Sequence, residues 1–188
     1  MKTPTLVRID IVKTLDNIPD TSWLGEYTDE EKDGVIVRKY DKFIDELDED
    51  EEIPERGRKY RFFKPFAGGM EPTHDSWNEK EYKKYGRQDY DRMESYNNQN
   101  WCFIKISARA LVELEQEDGT KIQQTIETPG IWGTESDSED GHIQHIGSEE
   151  LEQLREMLEA MNCKVEDHVW KRKEGFALDA VTNATIEY

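Results

Sequence analysis

Cysteine is nearly absent: Cys102 and Cys163 are the only two in 188 residues. Two thiols are too few for the disulfide framework of a small secreted domain or for a cysteine-based zinc site, and they suit a reducing compartment. Long apolar runs are missing too. No stretch reaches the ~18 residues that a membrane span needs, and Met1 to Asp20 lacks the charged, apolar and small-residue order of a secretory leader. Positive charge is scarce, with 25 Lys and Arg against 43 Asp and Glu, a net of −18. A field of that sign repels phosphate backbones, which disfavours direct binding of DNA or RNA and makes a basic protein the easier partner. Neither G-x-x-x-x-G-K-[ST] nor G-x-G-x-x-G occurs, so no glycine loop cradles a phosphate. A Ser or Cys nucleophile on an exposed elbow is also lacking, and no catalytic residue or cofactor is expected.

What is present is aromatic and charged. Charged residues make up 36% of the chain and mean hydropathy is −0.96, yet five Trp, eight Tyr and six Phe can each bury a large area. A single folded domain over residues 1–188 with charged loops is the natural reading at this length.

Thr5 to Val12 alternates Val7, Ile9 and Ile11 against Arg8 and Asp10, the period of a strand. Trp23 to Tyr27 resumes extended structure, and Asp33-Gly34 predicts a hairpin turn into Val35 to Tyr40. Ser76 is placed to cap a helix from Trp77 to Tyr96, whose Tyr82, Tyr85 and Tyr96 are read as packing on a sheet with wet hydroxyls. Trp101 to Glu115 is the best strand, with Cys102 as a core residue, and Asp118-Gly119 turns it into Thr120 to Glu127. A second helix is expected from Ser148 as N-cap, with Glu149 and Glu150 in its first turn and Leu151, Leu154, Met157, Leu158 and Met161 on one face. Cys163 reads as a small hydrophobe opening an extended segment to Trp170. Together these predict an α+β fold, a mainly antiparallel β-sheet with two helices packed on one face.

The acidity is concentrated. Asp41 to Glu55 is an acidic loop or insertion with nine acids against Lys42, and Asp45, Glu46, Asp48, Glu49, Asp50, Glu51 and Glu52 are candidate partner-binding residues. Arg56 to Lys64 follows as a basic island interleaved with aromatics. The second acidic patch runs from Glu135 to Glu159, again nine acids against a single Arg, with Glu135, Asp137, Glu139, Asp140, Glu149 and Glu150 as candidates. Its loop fails as an EF-hand, because Asp140 stands where the invariant Gly belongs and Ile146 where the bidentate Glu belongs. A metal site from Glu135, Asp137, Glu139, Asp140, His142 and His145 is the alternative chemistry that these residue types allow.

Gln88 to Asn97, Trp101 to Ala108, Pro129-Gly-Ile-Trp-Gly-Thr-Glu-Ser-Asp-Ser138 and Glu149 to Arg155 resemble a family of small phage- and plasmid-encoded proteins. In that family a Gly-Leu-Trp-Gly-Ile-Glu-Ser-Asp-Ser motif lies between a hairpin and a Glu/Leu-rich helix. The likeness covers about residues 85–162, and Thr134 departs from the family's aliphatic residue. It implies a mobile-element origin and a bacterial host cytoplasm, and it carries over no catalytic residue. Trp132 and Gly133 read as a structural anchor, the indole plugging the core while Gly130 and Gly133 allow tight turns. The function expected from all this is a non-enzymatic acidic protein that binds a basic nucleic-acid-binding host protein, as DNA-mimicking anti-restriction or anti-CRISPR inhibitors do. A metal-dependent enzyme or accessory factor and a self-associating, homo-oligomeric structural module are the alternatives.

Overall fold

Alternation of apolar and polar residues becomes strand where it is longest. In the computed structural model, residues 3–32, 34–38, 60–66, 79–163 and 185–188 are described. In chain order the elements are β1 (Thr5–Leu15), β2 (Gly25–Thr28), β3 (Ile36–Val37), β4 (Phe62–Pro65), α1 (Glu79–Asn97), β5 (Phe103–Glu115), β6 (Lys121–Glu127), β7 (Ile131–Glu135), α2 (Asp140–Ala160) and β8 (Ile186–Glu187). The fold is α+β with mainly antiparallel pairing. The chain divides into two compact units, Met1–Pro19 with Cys102–Tyr188, and Asp20–Trp101. No helix among the described residues is long and apolar enough to cross a membrane.

The first unit is built on β5. Along one edge β5 pairs antiparallel with β1, Leu15 opposite Ile104 and Ile9 opposite Ala110. Along the other it pairs first with β7, Ile104 opposite Thr134, and then with β6, Arg109 opposite Glu127. β8 adds to the far side of β1 in parallel, Ile186 beside Lys13. Because side chains alternate, Ile104, Ile106, Ala108, Ala110 and Val112 share a face with Ile9 and Ile11. On that face lies α2, presenting Ile143, Ile146, Leu151, Leu154 and Leu158, and Cys163 closes the cluster. Each such aliphatic side chain contributes roughly 1.5–3 kcal/mol by leaving water. Burial raises the Cys163 thiol pKa, in keeping with a small hydrophobe. Lys13 is buried on the same face, where desolvation lowers its ammonium pKa against the opposing pull of Asp140.

The second unit holds a small sheet in the order β2-β4-β3, with α1 as its helix. The helices are thus shared out, one to each sheet. The hairpin expected between β2 and β3 does not form: both strands pair with β4, Tyr27 opposite Phe63 on one side and Ile36 opposite Phe63 on the other. Phe63, fully buried, supplies the reason, since Tyr27 at 5.2 Å and Tyr90 of α1 at 5.4 Å pack on its ring. Arg38 is buried here as well. Its guanidinium donates to the Tyr60 carbonyl at 2.8 Å and to Glu94 Oε1 at 3.0 Å, and lies 4.2 Å from the Tyr27 ring centre. The Tyr27 hydroxyl donates to the same Glu94 oxygen at 2.8 Å and meets the Asn97 amide. Of the α1 tyrosines, Tyr90 is buried, Tyr96 packs 5.2 Å from Trp101, and Tyr85 is exposed. Ser76, Trp77 and the side chain of Tyr82 lie outside the described residues, as does the segment from Lys164 to Trp170.

Candidate functional site

The apolar stripe of α2 begins at Ile143, more than one turn before Ser148. Ile143, Ile146 and Gly147 continue the spacing of Leu151, Leu154 and Leu158 toward the N-terminus, so the helix starts at Asp140 with Glu139 as its N-cap residue. Ser148 is therefore interior, and its hydroxyl donates back to the Gln144 carbonyl at 3.0 Å. Gly141 and Gly147 weaken the local helix signal, which is why the start is hidden in the sequence.

On a 3.6-residue period, His145, Glu149, Glu152, Glu156 and Glu159 line the side opposite the buried stripe. All five are exposed. Glu149 meets His145 at 3.5 Å and Glu159 meets Arg155 at 3.2 Å, pairs one helical turn apart. Ahead of the helix, Asp137, Glu139 and Asp140 are exposed, while Glu135 ends β7 half-buried. Ser136 extends the β-ladder: its N–H donates to the Cys102 carbonyl at 2.8 Å and its Oγ accepts from Cys102 N–H at 2.9 Å. Cys102 itself, just ahead of β5, is half-buried and packs against the core cluster.

Glu150 is not part of this surface. It is 4% exposed because its position falls within the apolar stripe, and its carboxylate accepts the Thr128 hydroxyl. That hydroxyl oxygen in turn accepts the Ala108 N–H at 3.0 Å, so the buried acid is tied to the break between β6 and β7.

Trp132 also departs from expectation. Instead of plugging the core it is 54% exposed, with the Lys105 ammonium 5.4 Å from its ring centre. The cause is a bulge, since β7 advances from Ile131 to Thr134 while β5 moves only from Ile106 to Ile104. Gly133, at φ +76°, absorbs it, and Thr134 takes the inward position at 6% exposure. Gly130 is needed twice over: φ is +78°, and a Cβ there would sit 2.8 Å from the Lys105 stem and 2.9 Å from the Ile106 carbonyl.

A second polar cluster, on the sheet face away from α2, is not visible as a motif. Glu127 accepts from Lys105 Nζ at 2.7 Å, Ser107 Oγ at 2.9 Å and Arg109 Nε at 2.9 Å, and Arg109 also reaches Glu187 at 3.3 Å. Burial pushes the Glu127 carboxyl up, but these donors outweigh it and hold the pKa at about 2. The only signal in sequence is the i, i+2 spacing of Lys105, Ser107 and Arg109, which puts all three on one strand face.

Among the described residues no three His, Cys, Asp or Glu side chains converge on a point that could hold a metal ion. His142 and His145 are exposed on α2, and the latter faces Glu149. Asp45, Glu46, Asp48, Glu49, Asp50, Glu51 and Glu52 lie outside the described residues. No family model matches the chain, and neither does a curated protein or a solved structure.

Proposed function

We propose that the chain is a non-enzymatic binding protein whose acidic α2 face engages a basic, nucleic-acid-binding partner by standing in for phosphates. The observation that carries this reading is the row Glu149, Glu152, Glu156 and Glu159 on the outward face of a helix anchored by its opposite side. Ten residues of helix rise about 15 Å, roughly the axial span of four to five phosphate steps on one DNA strand. Asp137, Glu139 and Asp140 extend the same negative field past the helix start. The described residues of the first unit carry six basic against seventeen acidic side chains. The family resemblance supports a phage or mobile-element protein acting in a bacterial host cytoplasm, with a restriction or CRISPR component as the class of target.

Capture from bacterial lysate at low salt, followed by competition with duplex DNA, tests this. The retained partner should be basic, should lose affinity steeply as salt rises, and should be displaced by DNA. Replacing Glu149, Glu152 and Glu156 together by Gln should flatten that salt dependence without changing the far-ultraviolet spectrum. Absence of capture, or binding indifferent to salt, would sink the proposal.

A further inference from the structure

We infer that β6 is the seam of a twofold dimer, pairing antiparallel with β6 of a second copy of this chain. Among the described residues β6 is the end strand of its sheet, and Lys121 to Thr125 are exposed. It carries none of the usual guards of an open edge: no Pro, no charge in its middle, and no bulge in its ladder with β5. The backbone parity is fixed by the ends of that ladder. Gln116 N–H donates to the Thr120 carbonyl and Thr128 N–H to the Ala108 carbonyl, so even-numbered residues of β6 point their peptide groups at β5. Lys121, Gln123, Thr125 and Glu127 therefore point theirs outward.

A second strand can bond to those groups only in a register that sets odd residues against odd. The strand reads Lys-Ile-Gln-Gln-Thr-Ile-Glu. Centred on Gln124, the antiparallel register sets Lys121 opposite Glu127 of the second copy, Ile122 opposite Ile126, Gln123 opposite Thr125, and Gln124 opposite itself. Sliding by two residues in either direction shortens the overlap and separates Lys from Glu. A parallel in-register pairing would stack Lys121 on Lys121 and Glu127 on Glu127. The centred arrangement alone has the isologous symmetry of a closed dimer with every charged and apolar residue matched. Side-chain faces agree as well. Ile122, 44% exposed in one copy, gains the partly buried Ile126 of the other as its neighbour on the α2 face of the sheet. Glu127, although engaged by Lys105, Ser107 and Arg109, remains 25% exposed on the opposite face, where Lys121 of the second copy, held 2.7 Å from Glu113 within its own copy, arrives as a further positive charge.

Net charge opposes this association, since each copy brings −18. Salt should therefore strengthen the dimer, as the screening length falls from about 10 Å at 0.1 M to about 3 Å at 1 M. That is opposite in sign to the salt response expected of partner capture, so the two proposals fail independently. Sedimentation equilibrium of the full chain over a range of concentration and salt is the first measurement, with a concentration-dependent dimer favoured by salt as the expected result. Thr125→Pro is the decisive variant: its lost N–H faces outward, so the intrachain ladder stays whole while the partner strand is blocked. It should be monomeric with an unchanged circular dichroism spectrum, and Lys121→Glu should weaken the dimer by setting Glu against Glu127. In wild type, amide exchange at Gln123 and Thr125 should slow with rising concentration while that at Gln124 stays slow throughout. A monomer at every concentration, or a dimer that Thr125→Pro leaves intact, overturns the inference.

Discussion

Glu127 sits with three donors around one carboxylate, and its pH behaviour follows from that. The folded carboxyl titrates at about 2 instead of the ordinary 4.5, so its contribution is present above about pH 4.5 and is lost as pH falls through the folded value. A difference of that size stabilises the fold by roughly 3 kcal/mol at neutral pH. Glu127→Gln should thus unfold at lower urea at pH 7 and converge on wild type near pH 2. The two glycines of the β7 bulge separate strain from crowding. Gly133→Ala meets open space and should cost about 1–2 kcal/mol for φ +76° alone. Gly130→Ala adds contact with Lys105 and the Ile106 carbonyl and should cost more, a ranking that urea midpoints would check. Neither Glu127's donors nor the burial of Glu150 is legible locally. An acid in a helix reads as surface until its position within the apolar stripe is known, and Thr128, its partner, is 22 residues away.

At the scale of elements, what was legible followed from length and period. β1 and β5 stand where their alternation puts them, and α1 runs from Glu79 to Asn97 against an expected Trp77 to Tyr96. The errors cluster where pairing is non-local. Asp33-Gly34 signals a turn, but β2 ends at Thr28 and β3 begins at Ile36, and the strand between them in space is drawn in by Phe63. In α2 the apparent cap was an interior serine. Ser148→Ala should therefore change stability by less than about 0.5 kcal/mol in thermal or urea melts, whereas loss of a true N-cap would cost about 1 kcal/mol. The Glu/Leu periodicity of residues 149–159 did foretell an amphipathic helix, and the outward glutamates follow from the same period. Trp132 was misplaced because alternation assumes an unbroken ladder, and one bulge reverses it.

For the whole molecule, charge acts on stability as well as on partners. Self-repulsion of a −18 chain should make the thermal midpoint rise with added sodium chloride, the reverse of what a fold held by surface ion pairs would do. A flat or falling midpoint between low and moderate salt would show that local pairs such as Lys121 with Glu113 and Arg155 with Glu159 outweigh the net field. Connectivity has an effect of another kind. β1 pairs with β5, and the residues of the second unit all lie between them in sequence, with Leu15 opposite Ile104 and the Asp16 N–H bonded to the Phe103 carbonyl at 2.9 Å. During synthesis β1 therefore emerges about 90 residues ahead of its partner, which at ribosomal rates of about 5–20 residues per second leaves it unpaired for roughly 5–20 s. Over that interval Ile9, Ile11 and Val12 form a β-prone, apolar segment without its sheet, and the continuous second unit can fold first. The birth of the molecule, more than its finished state, is where a chaperone would find work.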